Sequence, residues 1–116
     1  MREPPRDRER LEHMLKAIDN ASEYSNGLTK EQLSEDKMRF YAIVKNVEIV
    51  GEAAYMLSLD FKASHPDTPW RGIEGMRHYL VHGYYQVDDL KLWNTLHKDL
   101  GPLKRQIEEY LKESSL

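Results

Sequence analysis

The chain has 116 residues, 40% of them hydrophobic and 32% charged, with a formal net charge of −3 and no cysteine. That length suits a single domain able to bury a core without metal or disulfides. The missing cysteines exclude disulfide frameworks, thiolate catalysis and cysteine zinc sites, and the mild acidity argues against a non-specific nucleic-acid binder, which needs surplus Lys and Arg to neutralise phosphates.

No apolar run approaches the roughly 20 residues of a membrane span. The opening Met1-Arg2-Glu3-Pro4-Pro5-Arg6-Asp7 lacks the apolar stretch of a signal peptide. The expectation is a cytoplasmic protein with no membrane partner, one domain over residues 1–116, with flexible tails at 1–5 and 113–116.

Helical periodicity dominates. Leu11, Met14, Leu15, Ile18 and Ala21 form a stripe that predicts a helix from about Arg6 to Tyr24, closed by Asn26-Gly27. Thr29-Lys30-Glu31-Gln32 has the form of a capping box, so a short helical turn is expected there. A second long helix is predicted from Asp36 to Lys62. Phe40, Ile43, Val44, Val47, Val50, Ala54 and Leu57 form its main face, and Tyr41, Ile49, Ala53 and Met56 widen it. A helix apolar over so broad a surface is central in a bundle or shared with a partner.

Two prolines make Ser64 to Pro69 a loop. A third helix is predicted from Trp70 to His82, with Ile73, Met76 and Leu80 on one face and Gly83 at its end. An Asp cap in Val87-Asp88-Asp89 opens the last helix, where Trp93, Leu96, Leu100, Leu103, Ile107 and Tyr110 recur at 3–4 spacing. Pro102 lacks the amide proton the helix needs, which predicts a kink near Leu100-Gly101. The fold class is therefore all-α, an antiparallel bundle of four principal helices.

Chemistry concentrates in one place. Arg77 to Tyr85 packs one Arg, two His and three Tyr into nine residues. His78 and His82, four apart, share a helix face; Arg77 and His82 stand roughly 140° apart on an ideal helix. Gly83 can let Tyr84 turn back toward His82. The same residues also fit purely structural roles: Arg77 pairing with Glu48 or Glu52, Tyr84 and Tyr85 as core aromatics with satisfied hydroxyls. A zinc pair of His78 and His82 is the third reading, but the HExxH form needs Glu where this chain has Tyr79.

Arg77-(four residues)-His82-Gly83-Tyr84 has the arrangement R-x4-H-x-Y. With Gly75-Met76 before it, Val87-Asp88 after it, Gly51-Glu52-Ala53-Ala54 in the second helix, and Trp93 and Leu100-Gly101-Pro102-Leu103 in the last, the chain resembles the HepT-like toxins of the HEPN superfamily from about Arg8 to Leu111. The residue after the arginine is often Asn in that family and is His78 here, an auxiliary proton carrier. The resemblance implies a metal-independent endoribonuclease toxin with no cofactor. Its catalytic residues would be Arg77 and His82, and its active site would form across a homodimer. It also implies a minimal nucleotidyltransferase antitoxin as partner, which attaches AMP to Tyr84. RNA is the implied substrate. The alternative function is a non-catalytic module that holds a nucleotide for a nucleotidyltransferase.

Overall fold

α1 (Asp7–Ser25) begins with acidic residues in its first turn, where the helix dipole favours them. It buries Leu11, Met14, Ile18 and Ala21 of the expected stripe, with Ala17 beside them, and leaves Leu15 half-buried. The computed structural model describes residues 7–78, 88–113 and 116. α1 ends through Gly27, whose φ of 79° is the only positive value among the described residues. Thr29 then caps α2 (Lys30–Glu35) in the predicted box: its side chain accepts from the Gln32 amide, and the Gln32 side chain accepts from the Thr29 amide.

α3 (Lys37–Met56) starts at an Asp36 cap and is the central element. Its face of Phe40, Ile43, Val44, Val47, Val50 and Ala54 lies buried, chiefly against α1. At the α1–α3 seam, Asn20 donates to the Asn46 side-chain oxygen at 3.2 Å.

The predicted long helix from Asp36 to Lys62 is broken. Leu57 and Ser58 are extended, and a separate α4 (Leu59–Ser64) follows. The cause is a cap at Ser58, held from a distance by Asp7, that outweighs the apolar period. The Ser58 hydroxyl accepts from the Phe61 amide, while the Asp7 carboxylate accepts from the Ser58 amide at 2.8 Å and from its hydroxyl at 2.7 Å. Lys62 then ties the joint together, donating to the Ala54 and Tyr55 carbonyls and to Glu74 at 2.9 Å.

α5 (Trp70–Glu74) is α-helical for five residues only and tightens into a 3₁₀ turn, Gly75–His78. The rest of the helix expected to reach His82 lies outside the described residues. α6 (Asp89–Asn94) opens on the predicted Asp88 cap. A π turn, Thr95–Asp99, joins it to α7 (Leu100–Tyr110). Across the π turn the Leu100 amide donates to the Thr95 carbonyl, five residues back. Restarting the α-helix at Leu100 leaves Pro102 in its first turn, where an absent N–H costs nothing. The irregularity that Pro102 imposes thus sits one turn ahead of Leu100-Gly101.

No strand occurs among the described residues, and the fold is an all-α bundle. No helix among them is long and apolar enough to cross a membrane. Tail residues 1–5, 114 and 115 lie outside the description; Glu113 accepts from His65.

Candidate active site

The site begins with a glycine in the middle of α3. Glycine at such a position costs about 1 kcal/mol against alanine unless packing requires it. Packing does require it here. A Cβ on Gly51 would overlap the Arg77 amide nitrogen and come within 2.9 Å of the Met76 carbonyl carbon and 3.0 Å of the Ile73 oxygen. The backbone of the 3₁₀ turn lies directly on α3, with Ile73 and Met76 buried at the contact.

One turn further along α3, Tyr55 receives the arginine. The guanidinium carbon of Arg77 stands 3.6 Å from the Tyr55 ring centroid, a stacked cation–π contact. Arg77 is half-buried, and Tyr55 is 48% exposed. The Arg77 Nε donates to the His78 Nε2 at 3.0 Å. That bond requires the Nε2 to be unprotonated, so a neutral His78 carries its proton on Nδ1. Arg77 also lines a shallow hollow of about 300 Å³ with Lys45, Glu48, Ile49 and Glu52. The local field mixes both signs, with acidic side chains from α3 facing a basic end of the motif turn.

Of the sequence-predicted site residues, Arg77 and His78 are brought together. His82 and Tyr84, with the rival acceptors Tyr79 and Tyr85, lie outside the described residues. Tyr55 is what the sequence reading missed. It sits four residues after Gly51, one helical turn, and a glycine in mid-helix was the available signal that a second backbone crosses there.

A second polar cluster surrounds His65 in the predicted Ser64–Pro69 loop. Its Nδ1 donates to the Phe61 carbonyl at 2.8 Å and its Nε2 to the Glu113 carboxylate at 2.9 Å. Its ring stacks on Phe61 at 4.0 Å. Burial pulls the imidazole pKa down, but the Phe61 carbonyl and the Glu113 carboxylate outweigh it and the net shift is upward. With an acceptor at each nitrogen, the protonated form of His65 is favoured, and the ring acts as a latch between the loop and the end of α7. Among the described residues no group of three or more His, Asp or Glu side chains is arranged to hold a metal ion.

Comparison with known proteins places this geometry. Residues 14–110 match the family described as ribonuclease HepT-like. The chain belongs to the HepT-like ribonuclease family. A protein of Thermococcus cleftensis named "Probable ribonuclease HepT" is 36% identical over 102 residues, covering 88% of this chain and 93% of its own length. A "putative RNase" of Caldanaerobacter subterraneus subsp. tengcongensis is 34% identical over 103 residues, covering 89% and 92%. Another protein with that designation, from Methanocaldococcus jannaschii, is 29% identical over 98 residues, covering 84% and 90%. No solved structure matches the chain. Within a HepT-like chain, the Gly51 contact and the Arg77–Tyr55 stack both fall at the start of the R-x4-H-x-Y segment.

Proposed function

We propose that this HepT-like chain is a metal-independent endoribonuclease and acts as the toxin of a toxin–antitoxin pair in the cytoplasm. The observation that carries the reading is the Arg77 guanidinium, held half-buried on Tyr55 at the first position of the motif. Metal-free RNA cleavage needs three things: a base for the 2′-hydroxyl, an acid for the leaving oxygen, and a cation at the phosphate. Arg77 supplies the cation in a geometry suited to phosphate oxygens. His82 is assigned the proton transfers, since imidazole titrates near pH 6.5 in the unperturbed state.

In the step itself the base removes the 2′-proton and the 2′-oxygen bonds to phosphorus. The bond from phosphorus to O5′ breaks, and O5′ takes a proton from the acid. The products are a 2′,3′-cyclic phosphate and a 5′-hydroxyl. One chain offers one Arg77 and one His82, so a homodimer that faces two copies of each would provide both base and acid. The exposed apolar side chains of α3, among them Met38, Tyr41 and Met56, support an interface on that helix. A monomer by light scattering that retains full activity would overturn the composite site.

The test of the reaction is cleavage of a defined RNA in EDTA. The expected products carry cyclic or 3′-phosphate ends. Fragments ending in 3′-hydroxyl, or activity only with Mg²⁺, would overturn the mechanism. Control is assigned to a minimal nucleotidyltransferase that transfers AMP from ATP to the Tyr84 hydroxyl, which loses its proton as pyrophosphate leaves. The added phosphate would compete with RNA for Arg77 by charge and by bulk. Peptide mass spectrometry after co-expression should find AMP on Tyr84; modification confined to Tyr79 or Tyr85 would refute the assignment. The acidic net charge and the Glu48 and Glu52 side chains beside Arg77 favour the second reading, a nucleotide-holding helper without catalysis. Purified protein that binds AMP but never cleaves RNA would select it.

A further inference from the structure

We infer that Tyr55 is a positioning residue for the reaction, aiming the Arg77 guanidinium at the phosphate from a platform on α3. This rests on the reading of Arg77 as the phosphate-binding cation. An arginine side chain has four freely rotating torsions, and an unsupported one on the surface samples many directions. Two contacts from α3 remove that freedom here. Gly51 admits the backbone of Met76 and Arg77 to direct contact, which fixes where the side chain starts. Tyr55, one turn on, holds the guanidinium carbon over its ring at 3.6 Å and so fixes where the side chain ends. The hydrogen bond to His78 engages Nε rather than the Nη pair that forks around a phosphate.

Tyr55 is itself fixed at the far side of the joint. Lys62 donates to its carbonyl and stands 6.0 Å from its ring centroid, while its Nζ also bonds Glu74 of α5. The Tyr55 backbone is therefore joined, through Lys62, to the helix that leads into the 3₁₀ turn. Its 48% exposure means that little core packing depends on it. A residue so exposed, so tied and stacked on the motif cation fits a positioning role better than a packing role.

The platform needs a π face and not a hydroxyl, which sets the test. Tyr55→Phe should keep cleavage within about twofold of the native protein, and Tyr55→Leu should lower kcat about tenfold, the scale of a lost cation–π contact. Binding of a non-cleavable 2′-O-methyl oligonucleotide should weaken only about twofold in Tyr55→Leu, because aim matters most where charge develops in the transition state. An independent reading comes from NMR of the free protein. The Arg77 side-chain proton resonances, assigned by their loss in Arg77→Lys, should be shifted upfield by the ring in the native protein and in Tyr55→Phe, and unshifted in Tyr55→Leu. Full activity in Tyr55→Leu, equal loss in both variants, or unshifted native resonances would overturn the proposal. If the native protein cleaves no RNA while the upfield shift is present, the stack stands, and the role in cleavage falls with the reaction.

Discussion

Two histidine corners of this molecule look alike in sequence and differ in everything physical. His65 follows the short α4 and His78 closes the 3₁₀ turn, each beside a polar residue. At His65 both ring nitrogens meet acceptors, the side chain is 15% exposed, and the ring stacks on Phe61 and meets Tyr110 edge-on. At His78 the ring is exposed, and one nitrogen accepts from Arg77. The first arrangement holds a proton in place and fastens two segments. The second leaves an imidazole beside a cation at the mouth of a motif. The difference teaches that a histidine bonded at both nitrogens serves stability, whereas on the proposed reading one whose ring is exposed beside the motif arginine can serve activity.

If the contrast is right, the motif corner should carry activity with little stability. Arg77→Ala and His82→Ala should each lower RNA cleavage about 10²- to 10⁴-fold. Arg77→Lys should recover little, because ammonium lacks the guanidinium fork. The melting temperature of Arg77→Ala should stay within about 2 °C of the native value, since Tyr55 and His78, which its side chain contacts, are both exposed. Retained cleavage in either alanine variant would break the assignment.

Gly51→Ala should blur the contrast by striking both properties. The added methyl collides with backbone, which cannot swing aside as a side chain can, so overpacking should cost about 1–3 kcal/mol. Cleavage should fall together with the melting temperature, because Arg77 is carried away with its turn. A Gly51→Ala protein with native stability and activity would show that the α3 crossing is looser than described.

The His65 corner should give a smaller and pH-dependent effect. Its folded pKa is raised, so the latch stabilises fully below the unfolded value near 6.5 and its contribution is lost as pH rises through the folded pKa. Glu113 is 38% exposed, and solvent screening holds the contribution below about 1 kcal/mol. Thermal melts of the native protein and Glu113→Gln should differ most at acidic pH near 5.5 and converge toward pH 8.5. A difference that grew with pH would reverse the sign and remove the latch.

Local signals were legible in the sequence, and long-range ones were not. The α1 stripe, the Thr29 box and the Asp88 cap each depend on residues within a turn or two of one another, and each formed as expected. The break in the helix expected from Asp36 to Lys62 depends on Asp7, 51 residues from the Ser58 it holds. Pro102 announced a disturbance, but its place one turn earlier followed from where α7 could restart. In the candidate site, Arg77 and His78 were legible from their motif. Tyr55 was not, because only the crossing at Gly51 brings its ring under the guanidinium.

The smallest effect should come from His78 and would sharpen the contrast most. Its Nε2 accepts from the Arg77 Nε at 3.0 Å, and that is the service Arg77 takes from it. An asparagine side chain can offer its carbonyl oxygen to the same donor, although it cannot carry a proton. If His78 only steadies Arg77, His78→Asn should keep cleavage within about threefold, and His78→Ala should fall further, by about the worth of one exposed hydrogen bond. Neither should move the melting temperature, since the ring is exposed. If His78 is instead a proton carrier in its own right, His78→Asn would lose activity as severely as His82→Ala, and the pH profile of cleavage would lose one limb. Equal loss in His78→Asn and His78→Ala would therefore overturn the steadying role and put a second acid or base beside Arg77.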